Sequence, residues 1–320
     1  MDGACIGVVG LGFLGRGIAT CLLAHGFRVV AYTIGEHEYE LARDYISKGV
    51  DQLIDRASFP ASLRDEWPDR FQEAHRFADF AECGFVIESV FEDLGVKQGV
   101  FDELEDVLED STPIASNTSA IPISLLQKGR RFPTRFLGMH WSEPAYATPF
   151  LEVIKGDQTL DTVLQIAEDL GRRNGKDPSL VYQDIPGFIA NRLAYAMYRE
   201  AIHLLESGVG DAETIDGAFR NACGTWATLC GPFRWIDITG GPALYARAMR
   251  RVLPTLSTTP ELPKTLEAML AENKRGVIDG KGFYEYEPGD ASRWEALLHE
   301  HAWEVWRLQQ RYYPLSPAKT

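Results

Sequence analysis

The most constraining feature of this chain lies near its start. Gly10-Leu11-Gly12-Phe13-Leu14-Gly15 follows the apolar run Ala4-Cys5-Ile6-Gly7-Val8-Val9 and precedes a helix-forming stretch at 14–25, with Gly26 as its stop. A lone Gly-x-Gly-x-x-Gly is a weak signal. Between a strand and a helix it is a specific one. The first glycine permits the tight turn, the second lets a pyrophosphate approach the backbone, and the third lets helix and strand pack closely. The helix N-terminus then offers free N–H groups and a positive dipole end to the phosphates. A second apolar strand at 27–32 completes a βαβ unit, whose parallel pairing requires a right-handed crossover.

The rest of the chain extends this unit. Polar, periodic sequence over 36–77 predicts one or two helices before the next strand, Phe85-Val86-Ile87-Glu88. A helix at 96–108, strands at 113–116, 136–140 and 150–154, a helix at 160–170 and a strand at 180–182 follow. The character changes at Gln183-Asp184-Ile185-Pro186-Gly187, where Pro186 suits the first turn of a helix. Beyond it, apolar residues recur at helical spacing, punctuated by Gly231-Pro232 and Gly240-Gly241-Pro242. Gly280-Lys281-Gly282-Phe283-Tyr284 reads as a turn entering a short extended segment. A last amphipathic helix from Ala291 carries Trp294, Trp303 and Trp306. The expected fold is α/β: a Rossmann-type, doubly wound sheet over 1–184 and an all-α C-terminal domain over 185–320.

Charge and composition exclude several functions. Lys+Arg total 32 against 46 Asp+Glu, a formal net charge of −14. Such a surface argues against nucleic acid or an anionic membrane as partner. No apolar run approaches the roughly 18 residues of a membrane helix. Met1-Asp2-Gly3-Ala4 lacks the basic start of a signal peptide. The five cysteines contain no Cys-x-x-Cys pair. Buried, reduced thiols in a cytoplasmic protein are expected, with no disulfide framework and no metal site.

Candidate chemistry clusters at strand ends. An acidic residue that binds a ribose hydroxyl is expected about 20 residues past the glycine turn. Thr33 stands there, followed by Ile34-Gly35-Glu36-His37 with no arginine, which favours NAD over NADP. Glu36 either supplies the missing carboxylate from the loop or is a solvated start of a helix, the reading preferred. His140 ends one strand and Glu152 lies on the next, 12 residues on. That spacing suits adjacent strands joined through Ser142-Glu143-Pro144-Ala145. A carboxylate beside an imidazole fixes its tautomer and makes it a general base. Ser116-Asn117-Thr118-Ser119 follows another strand, so its hydroxyls either bind a substrate oxygen or cap a helix beginning near Ile123. Asn191 sits one turn into the first helix of the second domain, facing the cleft or bonding another helix.

Several motifs then agree in order and spacing: 10–19, Val-Ile-Glu-Ser-Val-Phe-Glu-Asp-Leu at 86–94 with Lys97, Ser-Asn-Thr-Ser at 116–119, Gly-Met-His at 138–140, Leu-Glu-Val-Ile at 151–154, Pro-Gly-Phe-Ile-x-Asn-Arg-Leu at 186–193, Gly-Pro-Phe at 231–233 and Gly-Lys-Gly-Phe-Tyr at 280–284. On these the chain resembles the L-3-hydroxyacyl-CoA dehydrogenase family from residue 4 to about residue 286. The resemblance implies NAD-dependent interconversion of an L-3-hydroxyacyl-CoA and its 3-ketoacyl-CoA, in fatty acid metabolism. His140 would be the general base, Glu152 its partner, and Ser119 and Asn191 the ligands of the substrate oxygen. Gly10, Gly12, Phe13, Leu14, Gly15, Thr33, Glu92, Lys97 and Asn117 would hold the cofactor, with Glu92 and Lys97 on the nicotinamide side. The helical domain would form a homodimer contact.

Four departures open alternatives. Thr33 replaces the usual acid, so NADP stays open. Glu143 precedes Pro144 where the family has asparagine; it binds substrate, raises the pKa of His140 or faces solvent. Tyr146-Ala147-Thr148-Pro149 is nearer the branches acting on small hydroxy acids such as gulonate or carnitine. The 36–77 segment, where acyl-CoA enzymes hold CoA, has few basic residues (Arg43, Lys48, Arg56, Arg64, Arg70, Arg76) among many acids. A small, non-CoA 3-hydroxy acid is therefore the alternative substrate. A non-catalytic NAD(H)-binding structural protein is the alternative of another class; competent side chains at every proposed catalytic position favour the enzyme.

Overall fold

The computed structural model describes residues 4–313. β1 (Cys5–Val9) and β2 (Arg28–Tyr32) flank α1 (Phe13–Ala24) and pair in parallel from Cys5↔Arg28 to Val9↔Tyr32. Beyond the exposed Arg28, their apolar sequence fits strands covered on both faces. α2 (Glu36–Ala57) and α3 (Leu63–Arg70) occupy the insertion, as expected. The helical reading fails at its end: β3 (Phe71–Ala74) is a strand, parallel to β2 from Val29↔Phe71 to Tyr32↔Ala74. It is a short edge strand in which only Ala74 is buried, so no period-two pattern marks it.

β4 (Phe85–Glu88), α4 (Leu94–Val107), β5 (Ile114–Ser116), α5 (Ile123–Leu126), β6 (Phe136–Trp141), β7 (Phe150–Ile154), α6 (Asp161–Arg173) and β8 (Asp177–Val181) complete an eight-stranded sheet. Its order is β3-β2-β1-β4-β5-β6-β7-β8. β3 to β6 run parallel; β7 turns back against β6, and β8 runs parallel to β7. The strand order reverses between β1 and β4, which is where doubly wound sheets bind ligands, at the carboxyl ends of the strands. One face of the core joins Val9, Val30, Phe80, Phe101, Phe136 and Phe188.

A second compact unit begins at Ala190. Its helices are α7 (Ala190–Glu206), α8 (Ala212–Ala227), α9 (Pro232–Ile238), α10 (Gly241–Val252), α11 (Lys264–Ala271) and α12 (Asp290–Tyr312). Pro186 does not open α7. Gly187 and Phe188 take positive φ angles of 79° and 50°, which interrupts helical winding, so the helix starts four residues later. Asn191 is therefore the second residue of α7 rather than a turn inside it. Lys281 bridges to Gly276 and to Glu285, giving the turn and short extended segment expected there. In α12 Trp303 is buried, while Trp294 is exposed. No helix among the described residues is long and apolar enough to cross a membrane, and they include no metal-competent group of His, Cys, Asp and Glu.

Candidate active site

The glycine turn is shaped as its sequence requires. Gly10 has φ +97°, and a Cβ there would meet the Ser89 carbonyl oxygen at 2.5 Å. A Cβ on Gly15 would lie 1.8 Å from the Gly10 oxygen. A Cβ on Gly12 would meet nothing within 4 Å. Gly12 also caps α1 without any side-chain hydrogen bond, and the first turn of α1 carries no acid. Open space over Gly12 and uncapped N–H groups form a cradle that fits a pyrophosphate. Phe13 is exposed beside it and Leu14 is half-buried. Thr33 follows β2, and its N–H donates to the Tyr39 hydroxyl at 3.1 Å. Glu36 is exposed in the first turn of α2.

At the top of β4 lies a charged cluster that sequence reasoning identified only in part. Lys97 and Glu88 are both fully buried, with Nζ 2.7 Å from Glu88 Oε1 and 3.3 Å from Glu92 Oε2. The Ser116 hydroxyl donates to Glu88 Oε2 at 2.6 Å, and the Val90 N–H donates to Oε1 at 2.7 Å. Glu92 Oε1 in turn accepts from the Thr118 hydroxyl and from the N–H groups of Ser119 and Ala120. The result is a relay from a buried carboxylate to the backbone of the Ser116–Ser119 turn. Burial pushes the Glu88 carboxyl up, opposed by Lys97 and by its hydrogen bonds. Burial acts on Glu92 too, yet the Thr118 hydroxyl and Lys97 hold it below the usual carboxylate range. The signal for Glu88 was present: a carboxylate ending an otherwise apolar strand needs a buried partner.

The Ser116–Ser119 turn does not cap α5, whose cap is Pro122 with no side-chain bond. Thr118 instead accepts the Ile121 N–H at 2.9 Å. Asn117 ties neighbouring strand tops together. Its Nδ2 donates to Ser89 Oγ at 3.0 Å, and its Oδ1 accepts the Trp141 N–H at 3.0 Å. Ser119 is exposed. Because Ser116 pairs with Gly138, His140 stands at the level of Thr118, just beyond the end of β5.

β6 and β7 set His140 directly opposite Glu152. His140 Nδ1 is 2.9 Å from Glu152 Oε2, and both residues are buried. The other carboxylate oxygen, Oε1, accepts the Ile189 N–H at 3.0 Å. Phe150 meets the imidazole edge-on at a ring separation of 5.5 Å, and Phe188 lies 5.9 Å from it. An ionised carboxylate on Nδ1 keeps the proton there and leaves Nε2 as the basic nitrogen.

A glycine turn with open space for a pyrophosphate, a buried His–Glu pair and a polar turn thus lie at neighbouring strand ends. Residues 5–185 match the model of the 3-hydroxyacyl-CoA dehydrogenase NAD binding domain, and 187–286 match the C-terminal domain of the same enzymes. The chain belongs to the 3-hydroxyacyl-CoA dehydrogenase family. It is an NAD-dependent oxidoreductase. Among its relatives, 5-formyl-3-hydroxy-2-methylpyridine 4-carboxylate 5-dehydrogenase of Mesorhizobium japonicum is 32% identical over 88% of this chain and 91% of its own length. The fatty acid oxidation complex subunit alpha of Psychrobacter arcticus is 30% identical over 93% of this chain, which spans 41% of that subunit. The solved structure of a 5-formyl-3-hydroxy-2-methylpyridine 4-carboxylic acid 5-dehydrogenase, an NAD+-dependent dismutase, superposes with a TM-score of 0.88 at 29% identity, covering 98% of this chain and all of that one. (S)-3-hydroxybutyryl-CoA dehydrogenase from Ralstonia eutropha gives 0.74 at 27% identity, over 88% of this chain and 99% of its own.

Two departures from the 3-hydroxyacyl-CoA dehydrogenase pattern take definite form. Glu143 turns toward α1 and α2: Oε1 accepts the Tyr45 hydroxyl, and Oε2 lies 3.2 Å from where a Gly17 Cβ would stand. Burial, with the Glu143 charge behind it, pushes the Tyr45 hydroxyl far up, so it stays a donor. The same connection is held from below by Lys176, whose buried ammonium donates to the carbonyls of Ala145 and Thr148. In the α2–α3 insertion, Arg43 pairs with Glu73, Lys48 with Asp44, Arg64 with Asp51, Arg70 with Glu66, and Arg76 with Asp79 just beyond it.

Proposed function

We propose that this enzyme oxidises and reduces a small, polar, non-CoA substrate at a secondary alcohol or its carbonyl equivalent. The insertion that would hold CoA carries the reading. Between 36 and 77 there are ten carboxylates and six Lys or Arg residues, and five of those cations are already ion-paired with carboxylates. A CoA with several phosphate charges would have to displace those carboxylates. The close full-length likeness to a pyridine-carboxylate dehydrogenase points the same way.

In the proposed mechanism His140 takes the hydroxyl proton on Nε2. Glu152 holds the imidazole in that tautomer and offsets its positive charge. NAD, when bound, supplies the hydride acceptor, and the glycine turn with α1 orients its pyrophosphate. Ser119 hydrogen-bonds the substrate oxygen as it becomes a carbonyl, a contribution worth a few kcal/mol in such sites. The relay from Glu88 through Lys97 and Glu92 fixes the backbone beside Ser119.

The test compares acetoacetyl-CoA with NADH against gulonate, carnitine and formylpyridine carboxylates with NAD+, with His140→Ala as control. Turnover of a small acid with kcat/KM at least about 100-fold above that for the thioester supports the reading. The reverse ranking overturns it and restores the acyl-CoA substrate.

We also propose that the helical unit pairs with a second copy. Among its described residues only Ile202, Cys230 and Trp303 are buried hydrophobics, and α8 to α11 bury none. Such a unit lacks a core of its own and gains one by association. Sedimentation of the intact enzyme at twice the chain mass supports this; a monomer at micromolar concentration overturns it.

A further inference from the structure

The sheet edge opposite the dyad carries a second pair of reactive side chains. Cys5 opens β1, and Cys83 lies two residues before β4. These strands are neighbours, with Ile6 opposite Phe85, and the Gly84 N–H donates to the Cys5 carbonyl at 3.0 Å. The pairing brings the two sulfurs to 3.4 Å across a sequence separation of 78 residues. We propose that Cys5 and Cys83 are a modification site: a dithiol that a hydroperoxide oxidises reversibly to a disulfide.

The surroundings assign the roles. Arg28, in register with Cys5 on β2, brings a guanidinium to the pair, and Glu82 holds that guanidinium at 3.7 Å. The Cys83 thiol donates to Cys5 and, against burial and with help from Arg28, draws the Cys5 thiol down to about 7. The same hydrogen bond and burial push Cys83 far up. Cys5 is therefore the attacking thiolate and Cys83 the thiol that resolves the product. Cys5 is half-buried, so solvent reaches the residue at the amino end of β1. Cys21, by contrast, is fully buried on the inner face of α1.

The chemistry balances in two steps. The Cys5 thiolate attacks the nearer peroxide oxygen; an S–O bond forms, the O–O bond breaks, and hydroxide or alkoxide leaves. Cys5 is now a sulfenic acid and the peroxide is reduced. Cys83 then gives its proton to the departing oxygen while its sulfur attacks Cys5; the S–S bond forms, the S–O bond breaks, and water leaves. The sulfurs close to about 2.05 Å. A dithiol such as dithiothreitol returns both thiols by exchange.

The experiment treats the intact reduced enzyme with hydrogen peroxide at a dose that oxidises free glutathione, then maps peptides without reduction. The expected result is a mass loss of two hydrogen atoms, a linked peptide pair containing Cys5 and Cys83, and full reversal by dithiothreitol. Cys83→Ser stops at a Cys5 sulfenic acid trapped by dimedone, and Cys5→Ser leaves Cys83 unmodified. Free Cys5 and Cys83 after treatment overturn the proposal, as does a linkage through Cys223 or Cys230 instead. Neither readout depends on the substrate of the enzyme.

Discussion

Glu152 holds the backbone N–H of Ile189 at 3.0 Å, and Ile189 is the last residue before the helical unit. Its remaining oxygen belongs to His140. One carboxylate thus touches both the imidazole and the chain that leads into α7. The two duties are separable by substitution. Glu152→Gln keeps an acceptor for Ile189 and, with it in place, presents an amide N–H to Nδ1. That reverses the tautomer and removes the basic Nε2. A fall in kcat of at least about 100-fold with little change in Tm is expected. Glu152→Ala loses both contacts and should lower Tm as well. A glutamine variant with near wild-type kcat contradicts the assignment.

The glycine turn yields a contrast between two residues of one motif. A methyl on Gly12 meets no protein atom, so Gly12→Ala should fold with unchanged Tm and bind NADH at least about 10-fold more weakly, because the methyl enters the pyrophosphate space. A methyl on Gly15 meets the Gly10 oxygen at 1.8 Å. Gly15→Ala should destabilise by about 1–3 kcal/mol through backbone displacement. Calorimetry and NADH titration of the two variants separate these outcomes. Equal losses in both would show that the open space over Gly12 has no role.

The Glu88–Lys97 pair makes a prediction about stability. Lys97→Met strands a fully buried carboxylate and should cost about 3–5 kcal/mol. Adding Glu88→Gln removes the stranded charge, so the double variant should recover most of that loss. Denaturant midpoints for the two single variants and the double variant test it. Additive losses would mean that the contact contributes no coupling.

Acid should loosen the Ser116–Ser119 turn. Glu92 is held below the ordinary carboxylate range in the folded chain. Its contribution is therefore fully present above its unfolded value of about 4.3 and is lost as pH falls through the lower folded value. Solvent reaches 39% of its side chain, so the effect is screened and shallow. Tm measured from about pH 6 down to pH 3 should fall less steeply in Glu92→Gln than in the parent enzyme. Parallel curves would remove Glu92 from the acid response.

Much of this was legible because the decisive signals are local or have a fixed period. The glycine turn declares its strand and helix. The 12-residue interval from His140 to Glu152 fits a hairpin whose register puts the two side chains face to face. β3 was not legible, since a four-residue edge strand with one buried side chain has neither length nor alternation. The start of α7 was misplaced because Pro186 is only permissive for a helix, while the left-handed turn at Gly187 and Phe188 is set by packing the Phe188 ring against His140. Cys5 and Cys83 lie far apart in the chain, and only the pairing of β1 with β4 brings them together.

The reversal of direction between β6 and β7 has a consequence for how the hairpin is anchored. His140 and Glu152 form one rung of an antiparallel ladder, while residues 142–149 close the loop above it. Glu143 and Tyr146 in that loop are tied to α2, through Tyr45 and Gln52. One hairpin thus carries two separately anchored pieces, a rung held by strand pairing and a loop held by a helix.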